Sequence, residues 1–529
     1  MRVASIQVKA NDLKDYKQAW EKLEKMLLEA AQNHDLILVP ECAFPSYFIH
    51  GEEGDLNQIL NEGDSYLNRI KDISRQEKVY IAYGYVEKSG DTIYNSALLV
   101  DRNGEEVIKK RKSFLWHFDS KWFAEGDDLA VADTEFGKVA VVVCADARMP
   151  EIVRLAALEG AKFIIDLANL TASGPHMSEL QNVQSAFMLS VRALENQAWL
   201  AVSDKWGVES NTITYTGRSG VYAPDGACLY QASADRDEIV SVEIPVDANG
   251  KITTSGEGYE VQRRPELYKT LVQETESLPI TQILAEKVVP ADITPYIAVA
   301  SGKFNNDEEY IRTIQRLANQ GSEIICMPPA RISIENNANQ ISSLLPEKVC
   351  VIATVDKGNG VMDSYILSNE GIQEKYQTLH HDAASNEYDS IPVFQTHWGK
   401  IGVIHNQEAL LPEWSRTMML LGADCIVWPN NLPFEIASKV SRTRAAESRI
   451  FVVSAQTTDE NDAVSQVIDP NGAVVASTLI GERLHACGAF TPFTLSRMKE
   501  LVPGTNVVKN RRPQYYSELA NSKTPTVNI

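Results

Sequence analysis

The chain has 529 residues, and its 71 acidic side chains exceed its 50 basic ones, so the net charge is −21 with histidine neutral. A chain this acidic repels phosphate backbones, which argues against nucleic acid as its main partner. The hydrophobic fraction of 44% is typical of a globular protein with a buried core and excludes wholesale disorder.

The first half of the sequence alternates strand and helix patterns. In chain order, strands are predicted from RVASIQV, DLILVP, VYIAYGYVE, YNSALLVD, GKVAVVVC and KFIIDLAN. Helices are predicted from DYKQAWEKLEKMLLEAAQN and from PEIVRLAALEG, which has proline in its first turn and glycine just past its end. Strand-rich segments alternating with helices indicate a layered α/β fold.

The N-terminus and the cysteine content indicate the compartment. The segment MRVASIQVKANDLKDYK turns polar too early for a signal peptide, and no apolar run approaches the roughly 20 residues that span a bilayer. Seven cysteines form an odd and sparse set, typical of free thiols in a reducing compartment. We therefore expect a cytoplasmic protein with no membrane partner.

The chain also repeats itself. GKVAVVVCADARMPE (Gly137–Glu151) matches GKIGVIHNQEALLPE (Gly399–Glu413) without a gap, at an offset of 262 residues. RRPELY (Arg263–Tyr268) matches RRPQYY (Arg511–Tyr516) in the same order. Matches in one order predict a tandem duplication.

This duplication predicts the domain boundaries. Residues 1–272 form the first copy and residues 296–529 the second. Residues 273–295 are polar at first, contain proline and lack clear periodicity, so they are predicted to be a linker.

Three side chains of the first copy could carry chemistry. Cys144 ends a buried strand just before a helix, where a nucleophile would be exposed, although a buried cysteine is often only a small hydrophobe. Glu41 ends the strand DLILVP and could be a general base or merely a surface carboxylate. Lys112 is the last cation before the apolar SFLW, where a buried ammonium could stabilise an oxyanion.

The joint order of the motifs is more specific than any one residue. VPE, K-x-x-L, C-x-D-x-R-x-P-E, RALEN, G-x-S, P-D-G and RRPELY follow one another. This pattern resembles the nitrilase, or carbon–nitrogen hydrolase, superfamily. The resemblance covers nearly all of residues 1–270 and, more weakly, 296–517.

The resemblance implies a four-layer αββα sandwich in each copy and a Glu-Lys-Cys triad. Glu41 would be the general base, Lys112 the oxyanion stabiliser and Cys144 the nucleophile. The backbone N–H of Ala145 would complete the oxyanion site. A cysteine-bound acyl intermediate would form, ammonia or an amine would leave, and water would release the acid.

Two further residues have open roles. Many members of the superfamily carry a second glutamate several residues after the lysine, where this chain has Asp119. Asp119 either substitutes for that glutamate or pairs with Lys121. Tyr47 lies near where the family often has an aromatic residue lining the pocket, with packing as the alternative.

The residues after the cysteine indicate the reaction. C-A-D-A-R-M-P resembles amidases and carbamoylases more than the C-W-E of true nitrilases. We expect a hydrolase of a small-molecule, non-peptide amide bond, with N-carbamoyl hydrolase or nitrilase as alternatives. The alternative outside the enzymes is a catalytically inactive binding or regulatory protein. With neither H-E-x-x-H nor paired C-x-x-C present, we expect no metal and no cofactor.

The second copy lacks the triad. Pro329 stands at the glutamate position, Thr378 at the lysine position and Asn406 at the cysteine position. These residues supply no base, no positive charge and only a poor nucleophile, so this copy is predicted to be a degenerate pseudoenzyme. Because members of the superfamily commonly pair, we expect the two copies to pair as an intramolecular pseudo-dimer. A further homo-oligomer is left open.

Overall fold

The computed structural model describes residues 1–49, 53–127, 129–172, 174–254, 259, 261–285, 293–380, 391–458, 462–481 and 484–521. The chain divides into two compact units. Unit 1 comprises Met1–Gly258 together with Val502–Thr505, and unit 2 comprises Tyr259–Leu501 together with Asn506–Ile529.

Unit 1 alternates strands and helices along Met1–Gly258. Its strands are β1 (Arg2–Lys9), β2 (Leu36–Val39), β3 (Tyr80–Ser89), β4 (Thr92–Val100), β5 (Glu106–Arg111), β6 (Val131–Thr134), β7 (Gly137–Val143), β8 (Phe163–Leu167), β9 (Trp199–Ser203), β10 (Lys205–Glu209), β11 (Ile213–Thr216), β12 (Gly220–Tyr222), β13 (Cys228–Gln231) and β14 (Glu238–Glu243). Its α-helices are α1 (Tyr16–Ala31), α2 (Glu53–Glu77), α3 (Asp119–Trp122), α4 (Pro150–Leu158) and α5 (Leu189–Asn196).

These strands form two sheets in unit 1. One has the order β11-β10-β1-β2-β3-β4-β5, with β14 also paired to β1, and the other has the order β13-β12-β9-β8-β7-β6. The sheets face each other through contacts such as β4 with β7 and β2 with β8, while α1 and α2 pack on the first sheet and α5 on the second. The predicted helix–sheet–sheet–helix sandwich is therefore confirmed.

The helices cover the sheets with apolar faces. In α1, Trp20, Leu23 and Leu27 are buried at helical spacing, which is the pattern of a helix with one face on a core. They pack with Ile37 and Ile81 of the first sheet. This packing holds α1 against the first sheet.

Unit 2 repeats the architecture. Its strands are β15 (Tyr296–Gly302), β16 (Ile324–Cys326), β17 (Cys350–Gly358), β18 (Val361–Ser368), β19 (Gly371–Gln377), β20 (Val393–Gln395), β21 (Lys400–Val403), β22 (Cys425–Asn430), β23 (Phe451–Gln456), β24 (Gln466–Ile468), β25 (Val474–Ser477) and β26 (Leu484–Phe490). Its helices are α6 (Pro279–Ala285), α7 (Asp307–Asn319), α8 (Ile334–Ser343), α9 (Pro412–Leu420), α10 (Phe434–Ser448) and α11 (Phe493–Arg497). The short strands β27 (Glu500–Val502) and β28 (Thr505–Asn506) pair with each other.

Unit 2 also contains two sheets. Their orders are β19-β18-β17-β16-β15-β26 and β20-β21-β22-β23-β24-β25. The strands β15 and β23 bring the sheets into contact, α7 and α8 pack against the first sheet, and α10 packs against the second. The second copy thus keeps the fold of the first.

The boundary between the two compact units lies at Tyr259, whereas the sequence predicts a first domain of residues 1–272. Within unit 2, Arg263 Nε lies 2.8 Å from Glu413 Oε1, and both side chains are buried. The segment predicted as a linker carries α6, while residues 286–292 of it lie outside the described part of the chain.

Candidate active site

Strand direction explains why three predicted residues meet in unit 1. β2 and β3 are parallel, and two antiparallel steps separate β3 from β5, so these three strands end at the same edge of the sheet. Glu41 follows β2 by two residues, and Lys112 directly follows β5. Cys144 directly follows β7 of the facing sheet.

Cys144 lies at a sharp turn between β7 and α4. Its φ is +52°, a left-handed value that non-glycine residues rarely adopt. Its backbone N–H donates to Asp166 Oδ1 at 2.8 Å. Asp146 Oδ1 accepts from the backbone N–H groups of Ser113 and Phe114 at 3.0 and 2.8 Å. Asp146 therefore connects the cysteine turn to the segment that follows Lys112.

Lys112 lies between two carboxylates. Its Nζ is 2.7 Å from Glu41 Oε1 and 2.6 Å from Asp119 Oδ2, and all three side chains are buried. Asn95 Nδ2 donates to the same Glu41 oxygen at 2.5 Å. The cluster holds one ammonium in a fixed position with two opposite charges in direct contact.

Burial and charge act on the protonation of these groups in opposite directions. Burial raises the pKa of the Glu41 carboxyl, and the Lys112 ammonium works against that rise. Burial and the Glu41 carboxylate raise the pKa of the Cys144 thiol, which Lys112 again opposes. Although burial disfavours its charge, Asp119 and Glu41 hold the pKa of Lys112 well above its ordinary value. The lysine therefore remains charged in a cluster whose carboxyl and thiol both have raised pKa values.

The two residues with open roles lie together. Tyr47 Oη donates to Asp119 Oδ1 at 2.8 Å, and Asp119 Oδ2 accepts from the backbone N–H of Trp116 at 2.9 Å. The ion pair of Asp119 is with Lys112, and the side chain of Lys121 instead lies over the ring of Phe118. Asp119 thus contacts the same ammonium as Glu41.

Glu41, Tyr47, Lys112, Asp119 and Cys144 all line one cavity of about 390 Å³, within the range of small-molecule sites. Besides the charged cluster, its walls come from the turn after Lys112, from the segment after β8, and from β11 with the residue before it. The lining residues are Glu41, Tyr47, Lys112, Trp116, His117, Phe118, Asp119, Cys144, Asn169, Thr171, Ala172, Thr212, Ile213, Thr214 and Tyr215. The cavity therefore has a charged end at the cysteine and an aromatic wall.

The sequence analysis missed several supporting residues. Asn95 is a fully buried polar residue within β4, a departure from the apolar pattern of that strand that could have marked it. Glu209 Oε1 accepts from Ser46 Oγ and from the backbone N–H groups of Tyr47 and Phe48. This buried carboxylate fixes the loop that follows Glu41, and no local pattern indicated it.

Unit 2 has the same turn with different chemistry. Asn406 follows β21 with φ +42° and begins the turn that leads into α9. Thr378 Oγ1 lies 3.0 Å from His405 Nδ1, and Ser364 Oγ lies 2.7 Å from His405 Nε2. Met362 O accepts from the backbone N–H of Thr378, just as Asn95 O accepts from that of Lys112. Neutral side chains thus occupy the positions of the charged cluster.

Two other kinds of site were sought in the described part of the chain. There, no group of three or more His, Cys, Asp or Glu side chains could hold a metal ion. No described helix combines the length and apolar character needed to cross a membrane.

Comparison with known proteins shows the family of the chain. The sequence model of the carbon–nitrogen hydrolase family matches residues 2–252 and 356–482, one segment in each copy. A nitrilase from Pyrococcus abyssi is 32% identical over 248 residues, which cover 46% of this chain and 89% of the relative. A citrullinase from Francisella tularensis is 26% identical over 286 residues, covering 52% of this chain and 98% of the relative.

Solved structures include an amidase from Nesterenkonia sp. with 25% identity and a TM-score of 0.41, over 47% of this chain and 92% of that one. The two segments matched by the family model together span more than half of the chain, and they confirm the predicted tandem copies. The chain therefore belongs to the carbon–nitrogen hydrolase family.

Proposed function

We propose that unit 1 hydrolyses a small amide-type C–N bond through an acyl-enzyme on Cys144. The observation that carries the proposal is the buried Lys112 between Glu41 and Asp119 in the cavity that Cys144 also lines. A fixed ammonium in a water-poor site is suited to stabilise negative charge that develops on a substrate oxygen.

The steps follow from the protonation of the cluster. Glu41 takes the proton of Cys144, and the thiolate sulfur attacks the amide carbon. The oxyanion so formed is stabilised by Lys112 and the backbone N–H of Ala145. Glu41 returns the proton to the departing amine as the C–N bond breaks, and a thioester remains. Water, deprotonated by Glu41, then attacks the thioester and releases the acid and the thiol.

The second copy has a different proposed role. Pro329, Thr378 and Asn406 offer neither a base, nor a fixed cation, nor a thiol, so unit 2 is proposed to be catalytically inactive. Its buried His405 is neutral near pH 7, because burial lowers the pKa of that imidazole to about 4. A neutral imidazole does not replace the ammonium of Lys112.

The leaving group separates the candidate reactions. Relatives include a citrullinase and a nitrilase, so ureido acids and nitriles belong in the test beside amides. The assay measures ammonia release from a panel of these three classes, with mass detection of an acyl adduct on the Cys144 peptide. We expect turnover of amides and an adduct that is lost in Cys144→Ala.

A matched control uses another thiol of the same unit. Cys228 is exposed on β13 and is absent from the cavity lining, so Cys228→Ala should keep full activity. Ammonia release that survives in a folded Cys144→Ala protein would contradict the mechanism. Binding of panel compounds without any turnover would favour the inactive binding protein instead.

A further inference from the structure

Unit 1 includes a piece of chain from the far end of the sequence. Val502–Thr505 belongs to this unit although the rest of it ends at Gly258. The turn of this segment lies between the short strands β27 and β28. Thr505 is fully buried, whereas Val502 is half-buried and Pro503 and Gly504 are exposed.

Thr505 holds the turn that forms the aromatic wall of the cavity. The backbone N–H of His117 donates to Thr505 Oγ1 at 2.9 Å, across a sequence separation of 388 residues. The same hydroxyl donates to Leu115 O at 3.3 Å. One side chain therefore satisfies a donor and an acceptor on either side of Trp116, which lines the cavity.

The turn needs such support because its backbone is unusual. His117 has φ +45°, a left-handed conformation that a non-glycine residue adopts only when its surroundings impose it. The turn also carries Asp119, whose Oδ2 accepts from Trp116 N at 2.9 Å and lies 2.6 Å from Lys112 Nζ. A shift of the turn therefore moves the carboxylate that helps to hold the lysine.

Gly504 makes the close approach possible. Its φ is +84°, and a Cβ built there would lie 3.1 Å from Ser120 Oγ. Ser120 Oγ itself donates to His117 O at 2.7 Å. A side chain at position 504 would press on the turn that Thr505 holds.

We propose that Val502–Thr505, a segment of unit 1 from the far end of the sequence, positions the active-site turn of this unit through the Thr505 hydroxyl. The proposal rests on the proposed function of unit 1. Thr505 acts through the turn and touches no reacting atom, so it is a positioning residue. It gives a segment that is distant in sequence a direct part in the activity of unit 1.

The test compares three variants of the full chain. Thr505→Val keeps the branched shape and removes the hydroxyl, whereas Thr505→Ser keeps the hydroxyl. Thr134→Val is the matched control. Like Thr505 Oγ1, Thr134 Oγ1 donates to a carbonyl oxygen, that of Gly137, and accepts from a backbone N–H, that of Phe136. Thr134 lies away from the cavity. The readouts are kcat, KM and the rate at which iodoacetamide alkylates Cys144 at neutral pH.

Thr505→Val should lower kcat about ten-fold with little change in KM, because it leaves a buried N–H and C=O unpaired at the turn. It should also slow Cys144 alkylation, since a displaced Lys112 no longer favours the thiolate. Thr505→Ser should restore both rates, and Thr134→Val should resemble wild type. If Thr505→Val does not fold, Gly504→Ala replaces it in the test. Gly504→Ala should then lower kcat and slow Cys144 alkylation in the same way.

The proposal is overturned if Thr505→Val retains the wild-type kcat and the wild-type rate of Cys144 alkylation. It is also overturned if Thr505→Ser or Thr134→Val loses as much kcat and alkylation rate as is expected of Thr505→Val. Should the wild type turn over no compound of the panel, the proposed function falls. The alkylation rates of the three variants then decide the positioning role on their own.

Discussion

Lys112 Nζ lies 2.6 Å from Asp119 Oδ2 and 2.7 Å from Glu41 Oε1, and all three side chains are buried. The lysine is therefore held between two carboxylates, one from the segment after β2 and one from the start of α3. The position of Lys112 is consequently sensitive to a shift of either segment.

The first prediction concerns the cluster as a unit. Cys144→Ala, Glu41→Gln and Lys112→Met should each reduce turnover roughly a thousand-fold or more, and double variants should lose little beyond that, because residues that act together are not additive. Steady-state ammonia release measures the losses, and circular dichroism checks the fold. Losses that multiply in the double variants would mean that the residues act independently.

The second prediction separates Asp119 from a packing role. Asp119→Asn should lower kcat about ten-fold or more, because it removes a charge-assisted contact to Lys112. Burial is the main reason for the raised pKa of Glu41, and the Asp119 carboxylate adds to it. Removing that charge lowers the pKa of Glu41, so the acid limb of the kcat/KM profile should move to lower pH. Asp119→Glu, which keeps the charge, should leave the limb near its wild-type position.

The third prediction concerns thiol reactivity. Near neutral pH, iodoacetamide should label Cys144 first, because it lines the cavity beside Lys112 and Glu41. Lys112→Met should slow this labelling several-fold, since burial raises the pKa of the Cys144 thiol and the Lys112 ammonium opposes that rise. The exposed Cys228 is an internal control whose rate should not change. Peptide mapping that finds Cys425 or Cys326 labelled first would count against the assignment.

The fourth prediction concerns the acid stability of unit 2. Burial holds the pKa of His405 at about 4, against 6.5 ordinarily. Burial alone would raise the pKa of Glu408. The hydrogen bond with His380 and the electrostatic interaction with the same residue instead lower the pKa of Glu408 to about 2, from an ordinary value of 4.5. Both values are lower in the folded state, so the unfolded chain binds more protons as pH falls. The free energy of unfolding should decrease from about pH 6.5 to 4 through His405, and from about 4.5 to 2 through Glu408.

Hydrogen exchange of peptides around residues 400–412 measures this loss. His405→Gln should flatten the dependence between pH 6.5 and 4. His397→Gln, at an exposed position, should leave it unchanged. An unaltered pH dependence in His405→Gln would show that another group causes the loss.

The fifth prediction concerns the two copies as separate proteins. A fragment of residues 1–275 lacks Val502–Thr505, which belongs to unit 1, and retains Tyr259–Val272, which belongs to unit 2. It should therefore self-associate, aggregate or lose activity. Light scattering and the ammonia assay decide this, and a stable monomer with full activity and an unchanged melting temperature would contradict both the predicted pairing and the role of Thr505.

The order of residues along the chain was enough to predict the family, the duplication and the three residues of the candidate cluster. Each of these depends on local order: Glu41, Lys112 and Cys144 directly follow strands or end apolar runs, and the matched segments repeat at nearly constant spacing. Periodicity and motif order are visible in one dimension, so they could be recognised without a fold.

Only the tertiary structure decided which partners hold those residues. Asp119 could have paired with its near neighbour Lys121, but the fold brings Lys112 within 2.6 Å of it. Asn95, Glu209 and Thr505 contact the site from distant parts of the chain, and Thr505 meets His117 across 388 residues. Contacts of this kind arise from the pairing of strands and the packing of sheets, whose geometry leaves no trace in the spacing of the residues that they bring together.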